Sequence, residues 1–178
     1  AAVIAGDSAL VELLLARGAD ANQTTGKPRV DWRYEANFRS GDVVMPAKSP
    51  LLLAAESGSA VMLRRLSRAG ADPAYRIDDG SGLLHAVIAG GKAEALQVAL
   101  RLSPDPDVVD RNGQTPLHRL LRAAPGPDTA AMLRLLAQAG ARPDLRDRRG
   151  LSAADLAAEA VDAVRDAFVA AFPARALR

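Results

Sequence analysis

Short apolar blocks at helical spacing alternate along the whole chain with breaks that carry glycine, proline or small polar residues. Residues 9–15 hold Leu10, Val11, Leu13, Leu14 and Leu15, residues 51–55 hold leucines and alanines only, and residues 61–66 set Val61, Met62, Leu63 and Leu66 around Arg64 and Arg65. Further blocks open at Leu83 and Leu117, and a last one runs from Asp155 to Phe168. Helices this short are unstable alone, so the pattern predicts helices that must pack on one another. The stretch 113–121 shows how each block begins. Gly113 suits a tight tip, the Thr115 hydroxyl suits an N-cap, and Pro116 suits the first helical position, where its missing N–H costs nothing.

The same signals recur in register. His118 and His85 stand 33 residues apart, and the same step back from His85 reaches Leu52, within the stretch Ser49-Pro50-Leu51-Leu52-Leu53-Ala54-Ala55. A second marker closes the helices: Gly18-Ala19-Asp20 and Gly70-Ala71-Asp72, with Gly140-Ala141-Arg142 as a variant and Ser103-Pro104-Asp105 as a weaker one. Thr115-Pro116-Leu117-His118 after Gly113, together with Gly150-Leu151-Ser152-Ala153-Ala154-Asp155-Leu156-Ala157, resembles the ankyrin-repeat family over nearly the whole chain. The resemblance implies an all-α solenoid of helix-turn-helix units with projecting loops or β-hairpin fingers. It divides one domain, 1–178, into about five repeats: a partial one at 1–22, then 44–76, 77–109, 110–146 and 147–172, with an insertion at 23–43. Four extra residues around 124–128 separate the helices of the fourth repeat. Residue 1 falls in mid-repeat and reads as a trimmed or processed end.

Composition narrows the class. No cysteine is present, aromatic residues make up only 3%, and almost half the residues are hydrophobic, which suits small-residue helix packing without disulfides. The formal net charge is only +2, so a nucleic-acid reading would need a local patch of Lys and Arg. No apolar run is long enough to span a membrane, and a cytoplasmic location is expected, with the periplasm left open by a removed signal peptide. The alanine- and arginine-rich style suggests a high-GC bacterial source.

Candidate chemistry is sparse. His85 and His118 share one repeat position, which the resemblance assigns to hydrogen bonds within the frame, and Asp155 takes that place in the last repeat. Asp31, Glu35 and Asp42 supply carboxylates in the insertion without a histidine or cysteine beside them, so no catalytic residue, metal site or cofactor is expected. The insertion instead concentrates Trp32, Arg33, Tyr34, Phe38 and Arg39, residue types enriched where binding energy is focused. Those aromatic residues either contact a partner or cover the repeat edge, and a short hairpin over 30–38 is a further option.

Family resemblance places partner contacts on loop tips and inner-helix faces. It nominates Lys48, then Arg76, Asp78 and Asp79, then Arg111, Asn112, Gln114 and Arg122, and last Arg146, Arg148 and Arg149. Met45, Glu56, Ser57, Ser81, Ala89, Ala123, Leu151 and Glu159 share those register positions. The C-terminal tips are therefore expected to be positive and to suit an acidic segment of a protein partner. The expected function is a non-enzymatic protein-interaction module, monomeric by itself. The alternatives are an accessory domain of a larger enzyme, a toxin-neutralising immunity-type protein and a nucleic-acid binder.

Overall fold

The computed structural model describes residues 1–26, 29–30, 43–44 and 46–173. Nine helices lie among them: α1 (Ser8–Ala16), α2 (Pro50–Glu56), α3 (Ala60–Arg68), α4 (Leu83–Gly90), α5 (Ala93–Leu102), α6 (Pro116–Arg122), α7 (Thr129–Gln138), α8 (Ala153–Ala158) and α9 (Asp162–Ala171). The fold is all-α. Its strand pairing among the described residues is one two-residue ladder, β1 (Arg29–Val30) with β2 (Val43–Val44), and an isolated bridge between Arg146 and Ser152.

The helices start where the sequence places its caps. Ser49, Thr115 and Ser152 each turn a side-chain oxygen to the amide three residues on, and Pro50 and Pro116 occupy the first turn of their helices. α1, α3 and α7 stop on Gly18, Gly70 and Gly140, all left-handed, and the amide after each glycine donates back to Leu14, Leu66 or Leu136. The weaker marker behaves differently. Ser103 after α5 is not left-handed, and Pro104 follows it directly.

Two rows of helices carry the core. α2, α4, α6 and α8 pack one on the next, and α3, α5, α7 and α9 form the second row, with α1 against α3. Each row touches the other through α2 with α3, α4 with α5, α6 with α7 and α8 with α9. The contact surfaces are leucine and alanine: Leu63, Leu96, Leu117, Leu133 and Leu136 are wholly buried, as are Ala54, Ala55, Ala95, Ala99, Ala153 and Ala157. Burying a leucine of this kind contributes about 1.5–3 kcal/mol, and the alanines let helix axes come close. Phe168 and Phe172 end the stack with ring centroids 4.9 Å apart. The shared face is tightest between α2 and α4, where a Cβ on Gly90 would stand 2.3 Å from the Ala55 carbonyl oxygen.

The two departures from even spacing have distinct structures. The loop 123–128 is longer than its counterpart at 91–92, and it returns Asp128 to the preceding helix pair, where Oδ2 accepts from Ala93 N at 3.0 Å. α5 begins after Lys92, which has no side-chain acceptor, so its neighbour supplies the cap. The insertion is clasped at its base. Thr25 N donates to Lys48 O and Lys48 N to Thr25 Oγ1, both at 2.9 Å, and further out Arg29 pairs with Val44 and Val30 with Val43, antiparallel. The hairpin option over 30–38 falls, beyond Val30, outside the described residues. Trp32, Arg33, Tyr34, Phe38 and Arg39, with Asp31, Glu35, Asp42 and Met45, lie outside the described residues.

Gly90→Ala must push its methyl into the Ala55 carbonyl and spread α2 from α4, at a cost of about 1–3 kcal/mol. Gly126→Ala, with open space around its Cβ and no left-handed backbone, is the matched control and should leave the urea midpoint within error. Equal midpoints for the two variants would contradict the close approach.

Candidate functional site

The tips that precede α4, α6 and α8 are built alike. In each, a residue donates and accepts across the turn: Ile77 N to Ser81 O at 3.0 Å, Asp110 N to Gln114 O at 3.1 Å and Asp147 N to Leu151 O at 2.8 Å. Asp110 and Asp147 do more than pair backbone. Oδ1 of Asp110 accepts from the amides of Asn112 and Gln114 at 2.7 and 3.0 Å, and Oδ1 of Asp147 accepts from Arg149 and Leu151 at 2.9 and 3.1 Å. The second oxygen of each meets a guanidinium, Arg119 at 2.7 Å and Arg122 at 2.8 Å. Both carboxylates are buried, which pushes their pKa up, but the hydrogen bonds and the nearby arginine outweigh burial and hold both below the ordinary range. Ile77 stands where the other tips have aspartate, and Asp79 substitutes in part, accepting from Ser81 N at 2.7 Å.

Neighbouring tips are joined by backbone. Arg111 N donates to Asp79 O at 2.8 Å, and Arg148 N donates to Asn112 O at 2.9 Å. The approach is close enough that a Cβ on Gly113, itself left-handed at φ 72°, would lie 3.2 Å from Arg148 N.

Both histidines of the chain bind the next tip. His85 Nε2 lies 2.9 Å from Gln114 O, and His118 Nε2 lies 3.1 Å from Leu151 O. A carbonyl can only accept, so Nε2 carries the hydrogen. Nδ1 then accepts: from Gly82 N at 3.4 Å in His85, and from Thr115 N and the Thr115 hydroxyl at 3.3 and 2.8 Å in His118. Both rings are fully buried. Burial is the main cause of the lowered His85 pKa, opposed by its bond to the Gln114 carbonyl, so the imidazole is held neutral. In the last unit Asp155 replaces histidine, and its Oδ2 accepts from the Ser152 amide and hydroxyl at 2.9 and 2.8 Å.

The nominated residues divide into those held by the frame and those left outward. Lys48 Nζ sits 2.7 Å from both Glu56 carboxylate oxygens. Arg76 donates to Gly80 O at 3.0 Å, Arg146 donates to Gly150 O and Asp155, and Arg122 holds Asp147. Gln114 lends its backbone to Asp110 and His85. Arg111, Asn112, Arg148 and Arg149 are exposed, and their side chains make no hydrogen bond or ion pair among the described residues. Asp78 and Asp79 are exposed at the preceding tip, and Asp79 Oδ2 lies 3.6 Å from Arg119.

Arg119 lies off the register positions of the loop tips and yet belongs to this cluster. It bridges two tips, reaching Ser81 Oγ at 2.6 Å as well as Asp110. Asp110 and Asp147, each three residues before a glycine, mark matched tip carboxylates in the sequence but not the cation that meets them. Among the described residues no helix is long and apolar enough to cross a membrane. No protein-family model matches the chain, and no curated protein matches its sequence.

Removing Arg122 strands a buried carboxylate, so Arg122→Ala should cost about 1–3 kcal/mol, whereas Arg148→Ala should cost less than about 0.5 kcal/mol. Urea unfolding of the pair checks this, and equal losses would refute the assignment. A lowered His85 pKa means that the unfolded chain binds the proton more tightly. Stability is then complete above about pH 6.5 and falls as pH drops through the folded value, with a second fall below about pH 3.8 as Asp79, Asp110, Asp147 and Asp155 take protons. A urea midpoint unchanged between pH 7.5 and 5 would rule out the first stage.

Proposed function

We propose that the chain is an ankyrin-repeat solenoid that acts as a protein-interaction module, binding a protein partner with its tips, the adjoining α4 and α6 faces and the clasped insertion. The observation that carries the reading is the division of labour at the tips. Imidazoles, aspartates and Arg119 are consumed in joining one unit to the next, while Arg111, Asn112, Arg148 and Arg149 stand outward on a backbone fixed by tip-to-tip hydrogen bonds. A tip backbone that is already fixed adds no loop-ordering cost on binding, which favours recognition. Chemistry is disfavoured on the same ground. The only two imidazoles have both ring nitrogens engaged and no solvent access, so neither serves as a general base.

The charge pattern supports a partner with an acidic segment. Arg111, Arg148 and Arg149 are side chains on successive tips, and they would steer and hold carboxylates. Base stacking has little to work with among the described residues, since Phe168 and Phe172 are buried and the Tyr75 hydroxyl is tied to Ala47 O.

Affinity capture from a lysate of the source cells tests the reading, comparing the intact chain with a Trp32→Ala, Tyr34→Ala, Phe38→Ala variant and an Arg111→Ala, Arg148→Ala, Arg149→Ala variant. One protein enriched by the intact chain and lost with either variant, both folded by circular dichroism, is the expected result. Enrichment of nucleic acid, or of nothing, would overturn it.

A further inference from the structure

A cleft of about 340 Å³ lies between α4, α6 and the tip that precedes α6. Ile88, Ala89 and Ala123 line it with apolar atoms, and Gln114, Arg119 and Arg122 line it with donors. Two small residues at 89 and 123 are what keep it open, since both are exposed and carry only a methyl. The two arginines are already oriented from behind. Arg122 Nη2 holds Asp147 Oδ2, and Arg119 Nη2 holds Asp110 Oδ2, yet those carboxylate side chains are 1% and 0% exposed while each arginine side chain is 29% exposed. Solvent therefore meets guanidinium and not carboxylate.

A guanidinium has five N–H donors, and the bonds made by these two among the described residues all use Nη2. The Nε and Nη1 hydrogens remain for an incoming acceptor. Asp79 approaches Arg119 from the tip, at 3.6 Å, and does not line the cleft, so Arg122 has the less compensated edge. The two residues sit three apart on one helix, a spacing that puts their side chains side by side.

Resting on the interaction-module reading, we infer that this cleft receives a glutamate or aspartate side chain from an acidic segment of the protein partner, anchored on Arg122 with Arg119 and Gln114 beside it. The apolar floor accepts the methylene stem of that side chain. A guanidinium already fixed by a buried carboxylate binds a second one with little loss of freedom, and its planar fork suits a carboxylate better than a lysine would. The cleft holds one or two side chains, and the one ring that lines it, the His85 imidazole, is wholly buried with both nitrogens engaged, which favours a peptide over a nucleotide.

A random dodecapeptide library displayed on phage and panned on the 178-residue chain tests this. The enriched peptides are expected to carry glutamate or aspartate. Exchange of that residue for its amide should weaken binding at least about tenfold. Ala89→Phe, which fills the cleft from an exposed position, and Ala123→Glu, which supplies an internal carboxylate, should each do the same at an unchanged urea midpoint. Peptides that bind both variants normally would overturn the cleft while leaving the interaction module standing. No enrichment at all would overturn both, and a 20-nucleotide single strand bound in the peptides' place, sensitive to the same two variants, would overturn the peptide assignment.

Discussion

A buried imidazole that spans two helix pairs is the interaction on which the rest depends. His85 and His118 accept at Nδ1 from the cap of their own helix and donate from Nε2 to a carbonyl of the following tip. The bond fixes where the next tip lies relative to the helix it follows, and that position in turn allows Arg111 and Arg148 to reach the preceding carbonyls. No single helix pair here could bury its own apolar face, so stability rests on such links between neighbours. Low polarity around the rings strengthens the bonds and makes an unmade one costly, so the links are rigid.

Where the regular pattern is broken, a neighbour compensates. Lys92 cannot cap α5, and the longer loop after α6 brings Asp128 to do so. Ile77 lacks the tip carboxylate, and Arg119 reaches from α6 to the Ser81 hydroxyl of that tip. Asn22 and Asp107 clamp the amides of Asp72 and Arg142 in the next unit, a link repeated at the first and third turns of the stack. The bond network is thus denser between units than the helix contacts alone require. The tip backbones are tied to one another in the same way, through Arg111 N to Asp79 O and Arg148 N to Asn112 O.

The cation distribution has two layers with different roles. Arg119 and Arg122 neutralise buried carboxylates and are partly covered, while Arg111, Arg148 and Arg149 carry charge outward from the same tips. Screening by salt weakens the outer layer far more than the inner one, since the inner pairs lie at low dielectric. Lys48, ahead of α2, pairs with Glu56 on α2 two units earlier, with the signs reversed and both charges partly exposed, and so contributes less.

Helix placement was legible in the sequence because it is local. Caps at Ser49, Thr115 and Ser152, prolines at 50 and 116 and glycines at 18, 70 and 140 act through backbone geometry within a few residues, and each does what its residue type predicts. The tip positions of Arg111, Asn112, Arg148 and Arg149 followed from register in the same way. Charge pairing was not legible. Nothing local distinguishes Arg122, which holds a buried aspartate 25 residues away, from Arg148, which is exposed, nor marks Arg119 as the bridge between two tips. The clasp of the insertion at Thr25 and Lys48 was equally hidden, because it joins residues 23 positions apart. Periodicity with its local caps and breaks thus determined the helices and their order, whereas the stacked neighbours decided which cations and carboxylates meet, since desolvated charges pair by distance in space and not along the chain.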